Sequence, residues 1–262
     1  MEAKNKIVKN NLGFSGDLFV YQDKSMFNYS VDTIMLGNFV SINSKVCNIL
    51  EVGTNNGALS IFIASRSKKI NIDAIEIQKP AVDLARKNVQ LNQLEAQINV
   101  IHADFNEYAK DFAFKCGNKQ AKKYSLIVAN PPYYNENFNV ERTKTTESQK
   151  IATHEICLNL EQLIANSAKI IEQKGYLSIV LPMARYIDLI CLLRKYDFEP
   201  KRVQIIYPRK NGLPKFCLVE ARYKSGWGTF FEPNLYLHYD DLNRHEYTEE
   251  IKKLYVPKKV KE

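Results

Sequence analysis

Short apolar runs alternate with segments of helical periodicity from residue 46 to residue 223, and this alternation restricts the fold more than any other feature. Strands that alternate with helices indicate an α/β domain, with a mostly parallel sheet and helices on both faces. The predicted strands are 46–52, 70–77, 98–103, 124–129, 176–181, 203–207 and 216–223. The predicted helices are 58–65, 81–91, 156–171 and 185–196, with Gly175 as a stop signal for the third. We expect the last two strands to pair as an antiparallel hairpin around residues 208–214.

Little sequence remains outside this pattern. The chain has 262 residues, of which about 45 precede the first strand and about 40 follow the last. We therefore predict one domain over residues 46–223, an N-terminal segment over 1–45 and a basic C-terminal tail over 224–262.

The sequence does not support a membrane protein, a disulfide-stabilised protein or a zinc protein. No apolar run approaches the roughly 18–20 residues that span a bilayer, and the N-terminus lacks the apolar core of a signal peptide. A cytoplasmic protein is expected. The five cysteines are scattered and form no C-x-x-C pair, which argues against a disulfide framework and a zinc site.

The first predicted strand ends in an acidic residue followed by a glycine loop. Glu51 precedes Gly53 and Gly57, which allow a tight turn and a close approach of a ligand to the backbone. Because a carboxylate here would repel a pyrophosphate, the loop suits a cationic or amino-bearing ligand. An ordinary strand–helix turn is the alternative.

The next two strands also end in carboxylates, at the edge where sheets of this kind bind ligands. Glu76 is placed to accept hydrogen bonds from ribose hydroxyls, and Asp104 with Phe105 suits the amine and the face of an adenine. Each acid alone is also compatible with a solvated strand end. Together with the glycine loop they indicate a nucleoside that carries a positive charge and no phosphate.

The fourth strand ends in the most specific motif of the sequence, Asn130-Pro131-Pro132-Tyr133. The two prolines fix the backbone and remove two N–H donors. What remains is rigid and rich in acceptors, namely the Asn130 side-chain oxygen and the Pro131 carbonyl, beside the ring of Tyr133. This arrangement suits the grip of a planar –NH2 group, with a Pro-Pro turn of purely structural meaning as the alternative.

These motifs resemble those of S-adenosylmethionine-dependent methyltransferases of the N-P-P-Y class. From about residue 10 to about residue 250, the chain resembles more closely the bacterial tRNA1(Val) (adenine(37)-N6)-methyltransferases. The resemblance lies in Gly13-Phe14, residues 27–37 (FNYSVDTIMLG), residues 130–134 (NPPYY), His154-Glu155 and residues 207–210 (YPRK). One position departs from the family pattern, because Asn55 stands where these proteins often have a glycine.

The resemblance implies a Rossmann-like class I methyltransferase fold with a seven-stranded sheet and a C-terminal antiparallel hairpin. It implies S-adenosyl-L-methionine as cofactor, S-adenosyl-L-homocysteine as product and N6 of adenosine 37 in tRNA1(Val) as the methylated atom. The implied catalytic residues are Asn130, Pro131, Pro132 and Tyr133. The implied cofactor-binding residues are Ser30, Asp32, Glu51, Gly53, Asn55, Gly57, Glu76, Ile77, Asp104, Phe105 and Asn130. Ser30 and Asp32 would close the N-terminal segment over the methionine end, and helix capping is their alternative role.

Positive charge is concentrated in the last quarter of the sequence. The chain carries a formal charge of +8, and residues 201–262 contain 13 Lys and Arg against 8 Asp and Glu. This excess favours an anionic partner, RNA in the first place. The expected RNA-binding residues are Arg209, Lys210, Lys215, Lys258 and Lys259, with residues 115–123 as a second group near the active edge. A frayed, solvated tail is the alternative for the C-terminal lysines, and a monomer is expected.

Other functions remain open at this point. DNA adenine, ribosomal-RNA guanine and a protein glutamine also present an –NH2 group to enzymes with the N-P-P-Y motif. DNA enzymes of this kind usually need a separate recognition domain, for which the flanking segments are too short, and glutamine methylation gives no reason for the basic last quarter. A catalytically inactive nucleoside-binding RNA chaperone is the alternative from another class, and the complete motif at 130–133 argues against it.

Overall fold

A computed structural model describes residues 7–13, 16–26, 28–131 and 158–260. The strands are β1 (Ile7–Asn11), β2 (Phe19–Asp23), β3 (Asn48–Val52), β4 (Asn71–Glu76), β5 (Ile98–His102), β6 (Tyr124–Ala129), β7 (Ile171–Pro182), β8 (Phe198–Tyr207), β9 (Phe216–Tyr223), β10 (Phe230–Phe231) and β11 (Leu235–Tyr236). The helices are α1 (Val31–Phe39), α2 (Ala58–Ala64), α3 (Lys79–Leu91), α4 (Phe105–Gly117), α5 (Leu160–Ile170), α6 (Tyr186–Lys195) and α7 (Glu249–Leu254).

The central sheet confirms the predicted α/β class. Its order is β10-β8-β9-β7-β6-β3-β4-β5, and β11 pairs with β8 beyond β10. Pairing is parallel from β5 to β7, and β9 is antiparallel to both β7 and β8, as expected for a closing hairpin. The seven predicted strands correspond to β3–β9. Because the chain leaves β3 for β4 on one side and returns to β6 on the other, the switch point of the sheet lies between β3 and β6.

Side chains of alternate residues in the central strands pack into two separate hydrophobic cores. Ile49 belongs to the core under α1, α2 and α3, whereas its neighbour Leu50 belongs to the core under α4, α5 and α6. All six residues of β6 are buried, and the side chains of residues 126–129 again alternate between the two cores. Burial on both faces explains why these strands read as continuous apolar runs.

The N-terminal segment forms an antiparallel hairpin, β1–β2, followed by α1. The hairpin packs against α3, and all nine residues of α1 are buried. Sequence periodicity did not predict β1 and β2, because each strand has only five residues and neither shows a regular apolar alternation.

Residues after α7 dock against α1 and the end of α2. Asn38 Nδ2 donates to Val256 O over 3.2 Å, and the Lys258 N–H donates to Asn38 Oδ1 over 2.9 Å. The Arg66 guanidinium donates to Lys258 O over 3.0 Å and to Gly37 O over 2.7 Å. Desolvation lowers the pKa of Arg66 to about 10. The described part of the tail, up to residue 260, is therefore ordered against the domain, and the frayed alternative is wrong for it.

Gly175 does not end the third predicted helix. Helix α5 ends at Ile170, and β7 begins at once with Ile171. Gly175 lies inside β7, where the register with β6 shifts, and a Cβ there would lie 2.7 Å from Ile171 Cγ1. The glycine is required by this close contact within the strand.

Residues 115–123 lie at the wrong end of the sheet for the role suggested above. Helix α4 starts at Phe105, at the carboxyl edge of the strands, and its 13 residues carry the chain about 20 Å back toward the amino edge. The lysines at the end of α4 and before β6 are therefore remote from the strand ends that were predicted to form the site.

Candidate active site

A cavity lies over the carboxyl ends of β3, β4, β5 and β6. Parallel strands end at one edge, so residues far apart in sequence meet there. The residues predicted from the sequence that line it are Glu51, Gly53, Asn55, Glu76, Ile77, Asp104, Phe105, Asn130 and Pro131. Gly57 lies beside the cavity as the residue that precedes α2.

Three residues of the loop after β3 have left-handed backbone conformations. The φ angles are 74° at Gly53, 51° at Asn55 and 82° at Gly57. Glycine adopts such angles without strain, and asparagine is among the few other residues that tolerate them. Asn55 therefore preserves the local geometry that a glycine would give at this position.

Glu51 is a buried carboxylate at the end of β3. The hydroxyl of Thr54 donates to Glu51 Oε2 over 2.7 Å, and the hydroxyl of Ser60 donates to the same oxygen. Desolvation raises the pKa of Glu51 to about 7, and the nearby Glu76 adds to the increase. A cation bound in the cavity would favour the ionised form of Glu51.

Glu76 accepts hydrogen bonds from the backbone of two loops that line the cavity. Its Oε2 accepts from the Asn55 N–H over 2.9 Å, and its Oε1 accepts from the Gln78 N–H over 2.8 Å. Burial raises the pKa of Glu76 despite these bonds. The carboxylate is thus fixed in position, and with about four acceptor positions it can still accept from a ligand hydroxyl.

Asp104 begins α4 and lines the cavity with one side of its carboxylate. Its Oδ1 accepts from the backbone N–H groups of Asn106, over 2.6 Å, and Glu107, over 3.4 Å. Because both bonds use Oδ1, Oδ2 is the oxygen available to a ligand amine. The neighbouring Phe105 is 5% exposed and presents an apolar surface to the same cavity.

Asn130 and Pro131 follow β6 at the switch point. Asn130 Nδ2 donates to Thr33 Oγ1 over 3.2 Å, which orients the amide with its oxygen on the opposite side. Pro132 and Tyr133, the other two residues of the predicted catalytic motif, lie outside the described residues.

The N-terminal segment contributes residues that the sequence did not single out. Tyr29 and Thr33 line the cavity, while Ser30 and Asp32 do not. Instead the Ser30 hydroxyl donates to Asp32 Oδ1, and the Thr33 N–H donates to that oxygen over 2.7 Å, at the start of α1. A contact of Ser30 or Asp32 with a cofactor stays a prediction.

Comparison with known proteins identifies the family. The model of the methyltransferase small domain family matches residues 31–190. The chain belongs to this family. It is also 30% identical to a tRNA1(Val) (adenine(37)-N6)-methyltransferase of Parabacteroides distasonis, over 88% of this chain and 90% of that protein. The resemblance stated from the sequence is confirmed.

Solved structures of other proteins have the same fold. A "predicted O-methyltransferase" of Agrobacterium tumefaciens superposes with a TM-score of 0.65 at 20% identity, over 88% of this chain and 98% of that one. M. jannaschii TYW2 in complex with AdoMet gives a TM-score of 0.54 at 12% identity, over 85% and 88%.

The cavity of this methyltransferase small domain fits S-adenosylmethionine, the methyl donor of the family. Two buried carboxylates, Glu51 and Glu76, face a space without a basic side chain in its described lining. Two such carboxylates suit ribose hydroxyls and a cationic sulfur, and they would disfavour a pyrophosphate. Groups of three or more metal-ligating side chains do not occur within the described ranges. Nor does any described helix have the length and apolarity to cross a bilayer.

The basic residues of this family member do not form one patch. Arg209, Lys210 and Lys215 lie in the turn between β8 and β9, at the same sheet edge as the cavity, about 14 Å along the sheet from β6 at roughly 4.8 Å per strand. Lys258 and Lys259 lie near the end of α2, toward the other edge.

Arg209 is already engaged within the protein. Its guanidinium donates to the carbonyls of Tyr239, Asp241 and Arg244, the last two over 2.8 and 2.9 Å. Lys210 and Lys215 are exposed at the same turn. The sequence could not distinguish these two roles, because the carbonyls lie about 30 residues away from Arg209.

Proposed function

We propose that this protein transfers a methyl group from S-adenosyl-L-methionine to the exocyclic N6 of an adenosine in tRNA, with adenosine 37 of tRNA1(Val) as the expected target. The observation that carries the proposal is the position of Asn130 and Pro131 at the end of β6, on the wall of a cavity whose other strands end in Glu51, Glu76 and Asp104. The name and near full-length coverage of the P. distasonis relative support the choice of substrate.

Several residues are proposed to hold the cofactor. Glu76 would accept from the ribose hydroxyls and Asp104 from the adenine amine, with Phe105 and Ile77 beside the ring. Glu51 and the 53–57 loop would lie next to the methionine part, together with Ser30 and Asp32. When bound, the cofactor supplies an electrophilic methyl group and is released as S-adenosyl-L-homocysteine.

Asn130 and Pro131 are proposed to activate the target amine. The N6 lone pair of adenine is delocalised into the ring, so the amine is a poor nucleophile. Hydrogen bonds from the amine to Asn130 Oδ1 and to Pro131 O would localise that lone pair. These bonds strengthen as the nitrogen becomes positive, so they favour the transition state over the ground state. The excess proton then leaves N6 to water, and Tyr133 would stack on the base.

An unpaired loop of RNA suits this site better than a duplex. The target base must leave its stack, which costs a few kcal/mol in a duplex and less in a loop. Lys210 and Lys215 would contact phosphates at the edge of the cavity, and Arg209 would shape the surface beside them. We propose that Lys258 and Lys259 form a second, separate contact with the RNA. We also propose residues 1–45, 46–223 and 224–262 as the functional divisions of the chain.

The test is methyl transfer from labelled S-adenosylmethionine to bulk tRNA, ribosomal RNA, DNA and protein, followed by nucleoside mass analysis. We expect N6-methyladenosine in tRNA, and tRNA from a strain lacking the modification should accept the most label. Label confined to DNA, ribosomal RNA or protein would contradict the proposal.

A further inference from the structure

Asn88 of α3 and Asn92, the residue that follows the helix, bind the backbone of β2 as a neighbouring strand would. The Tyr21 N–H donates to Asn88 Oδ1 over 2.6 Å, and Asn88 Nδ2 donates back to Tyr21 O over 3.0 Å. Asn92 makes the same pair of bonds with Phe19, over 3.0 and 2.7 Å. The match is geometric, because four helical residues rise about 6 Å and two strand residues rise about 6.6 Å.

Asn88 differs from Asn92 in a third bond. Asn88 Nδ2 also donates to Asn56 O over 2.8 Å, and Asn56 belongs to the cavity loop. The side chain of Asn88 is fully buried, so water cannot replace either partner. By contrast, the additional bond of Asn92 goes to Asn88 O within α3.

The hairpin reaches the cavity by a second route. The Tyr29 hydroxyl donates to Asn11 O over 3.0 Å, and Tyr29 lines the cavity. The β1–β2 hairpin is thus bonded to the glycine loop through Asn88 and to a further lining residue, Tyr29.

We propose that Asn88 is a positioning residue that couples docking of the β1–β2 hairpin to the shape of the cofactor loop. The loop changes direction at residues 53, 55 and 57, and the Asn56 carbonyl between the last two takes its hydrogen bond from outside the loop. Asn88 provides that hydrogen bond, and the Tyr21 backbone holds the Asn88 amide in place. The inference rests on the proposed function in taking S-adenosylmethionine as the ligand.

Paired alanine variants separate this coupling from simple stability. We expect Asn88→Ala to raise the Kd for S-adenosylmethionine about 10-fold by calorimetry, and to raise the KM for the cofactor while the KM for tRNA stays unchanged. Asn92→Ala removes an equivalent anchor of the hairpin, so it should lower the Tm while the Kd stays within about 2-fold of wild type. Equal effects of the two variants on Kd, or no effect of Asn88→Ala, would overturn the coupling.

A measurement on the unaltered protein decides the question if Asn88→Ala fails to fold. Coupling is reciprocal, so the cofactor must stabilise hairpin docking by the same factor. Saturating S-adenosylmethionine should therefore slow hydrogen exchange of the Tyr21 N–H about 10-fold more than that of the Lys252 N–H in α7. Equal slowing at both amides would reject the coupling alone, whereas a wild-type protein that does not bind the cofactor would reject the proposed function.

Discussion

The backbone N–H of Asn55 donates to Glu76 Oε2 over 2.9 Å, and this bond joins the loop after β3 to the end of β4. Asn55 makes this bond from a left-handed backbone conformation with a φ of 51°. A residue chosen for its backbone conformation thereby fixes the carboxylate that we assign to the ribose.

Substitution at Asn55 should follow backbone preference and not side-chain chemistry. Asn55→Gly should keep the free energy of unfolding within about 1 kcal/mol and the cofactor Kd within about 3-fold. Asn55→Val should cost about 1–2 kcal/mol and weaken cofactor binding, because a β-branched residue is strained at positive φ. Chemical denaturation and calorimetry give both quantities, and equal stability of the two variants would refute the explanation.

Glu51 should make both stability and cofactor binding depend on pH. The folded-state pKa of about 7 lies above the ordinary value of 4.5, so the contribution of Glu51 to stability is full below pH 4.5 and is lost as pH rises through 7. Relative to wild type, Glu51→Gln should gain stability over this window, on the order of 3 kcal/mol at most. Urea denaturation at pH 5 and pH 8 measures the difference.

The ionisation of Glu51 should change cofactor affinity with pH in the direction opposite to its effect on stability. Wild-type affinity for S-adenosylmethionine should increase as pH rises through 7, since the ionised form of Glu51 attracts the sulfonium. Glu51→Gln should bind more weakly at pH 8 and show a flatter profile. Parallel pH profiles for the two proteins would remove Glu51 from this role.

Substitutions at Asn130 and at its neighbour Thr33 should differ in the size of their effect on kcat. Asn130→Ala should lower kcat about 100- to 1000-fold, because it removes an acceptor that stabilises charge developing on the amine. Thr33→Val removes only the hydroxyl that orients the Asn130 amide, so a loss of a few-fold is expected. Single-turnover assays with saturating cofactor test this, and full activity of Asn130→Ala would disprove the mechanism.

Substitution of Arg209 should affect folding stability, whereas substitution of the neighbouring lysines should affect RNA binding. Arg209→Ala removes the hydrogen bonds of the guanidinium to three carbonyls, of which Asp241 O keeps the Arg244 N–H, and the variant should have a lower Tm. The double variant Lys210→Ala, Lys215→Ala should keep the Tm but weaken tRNA binding, and the slope of log K against log salt should fall by about 1 for each lost phosphate contact. An unchanged slope would remove the two lysines from the interface.

The sequence predicted the part of the site that depends on strand ends. Glu51, Glu76, Asp104 and Asn130 each lie at or just after the end of a predicted strand, and parallel pairing brings all such ends to one edge. The alternation of strands and helices was therefore sufficient to place residues that are up to 79 positions apart in one cavity.

Contacts between distant polar groups could not be predicted in this way. Asn88 binds Tyr21 across 67 residues. The helical period places Asn88 on the buried face of α3 with Leu84 and Ala85, but it does not reveal the distant partner. Tyr29 and Thr33 reach the cavity only because α1 packs across the sheet. Gly175 illustrates the reverse case, in which a stop signal in sequence instead marks an irregularity inside a strand.

The docking of residues 254–260 on Asn38 and Arg66 bears on how the protein is made. Helix α1 provides Thr33 to the cavity, yet its far end is bonded to Val256 and Lys258, more than 200 residues later in the chain. During synthesis from the N-terminus, these bonds can form only after residues 256–258 have left the ribosome. The helix that carries Thr33 into the cavity therefore gains its last anchors late in translation.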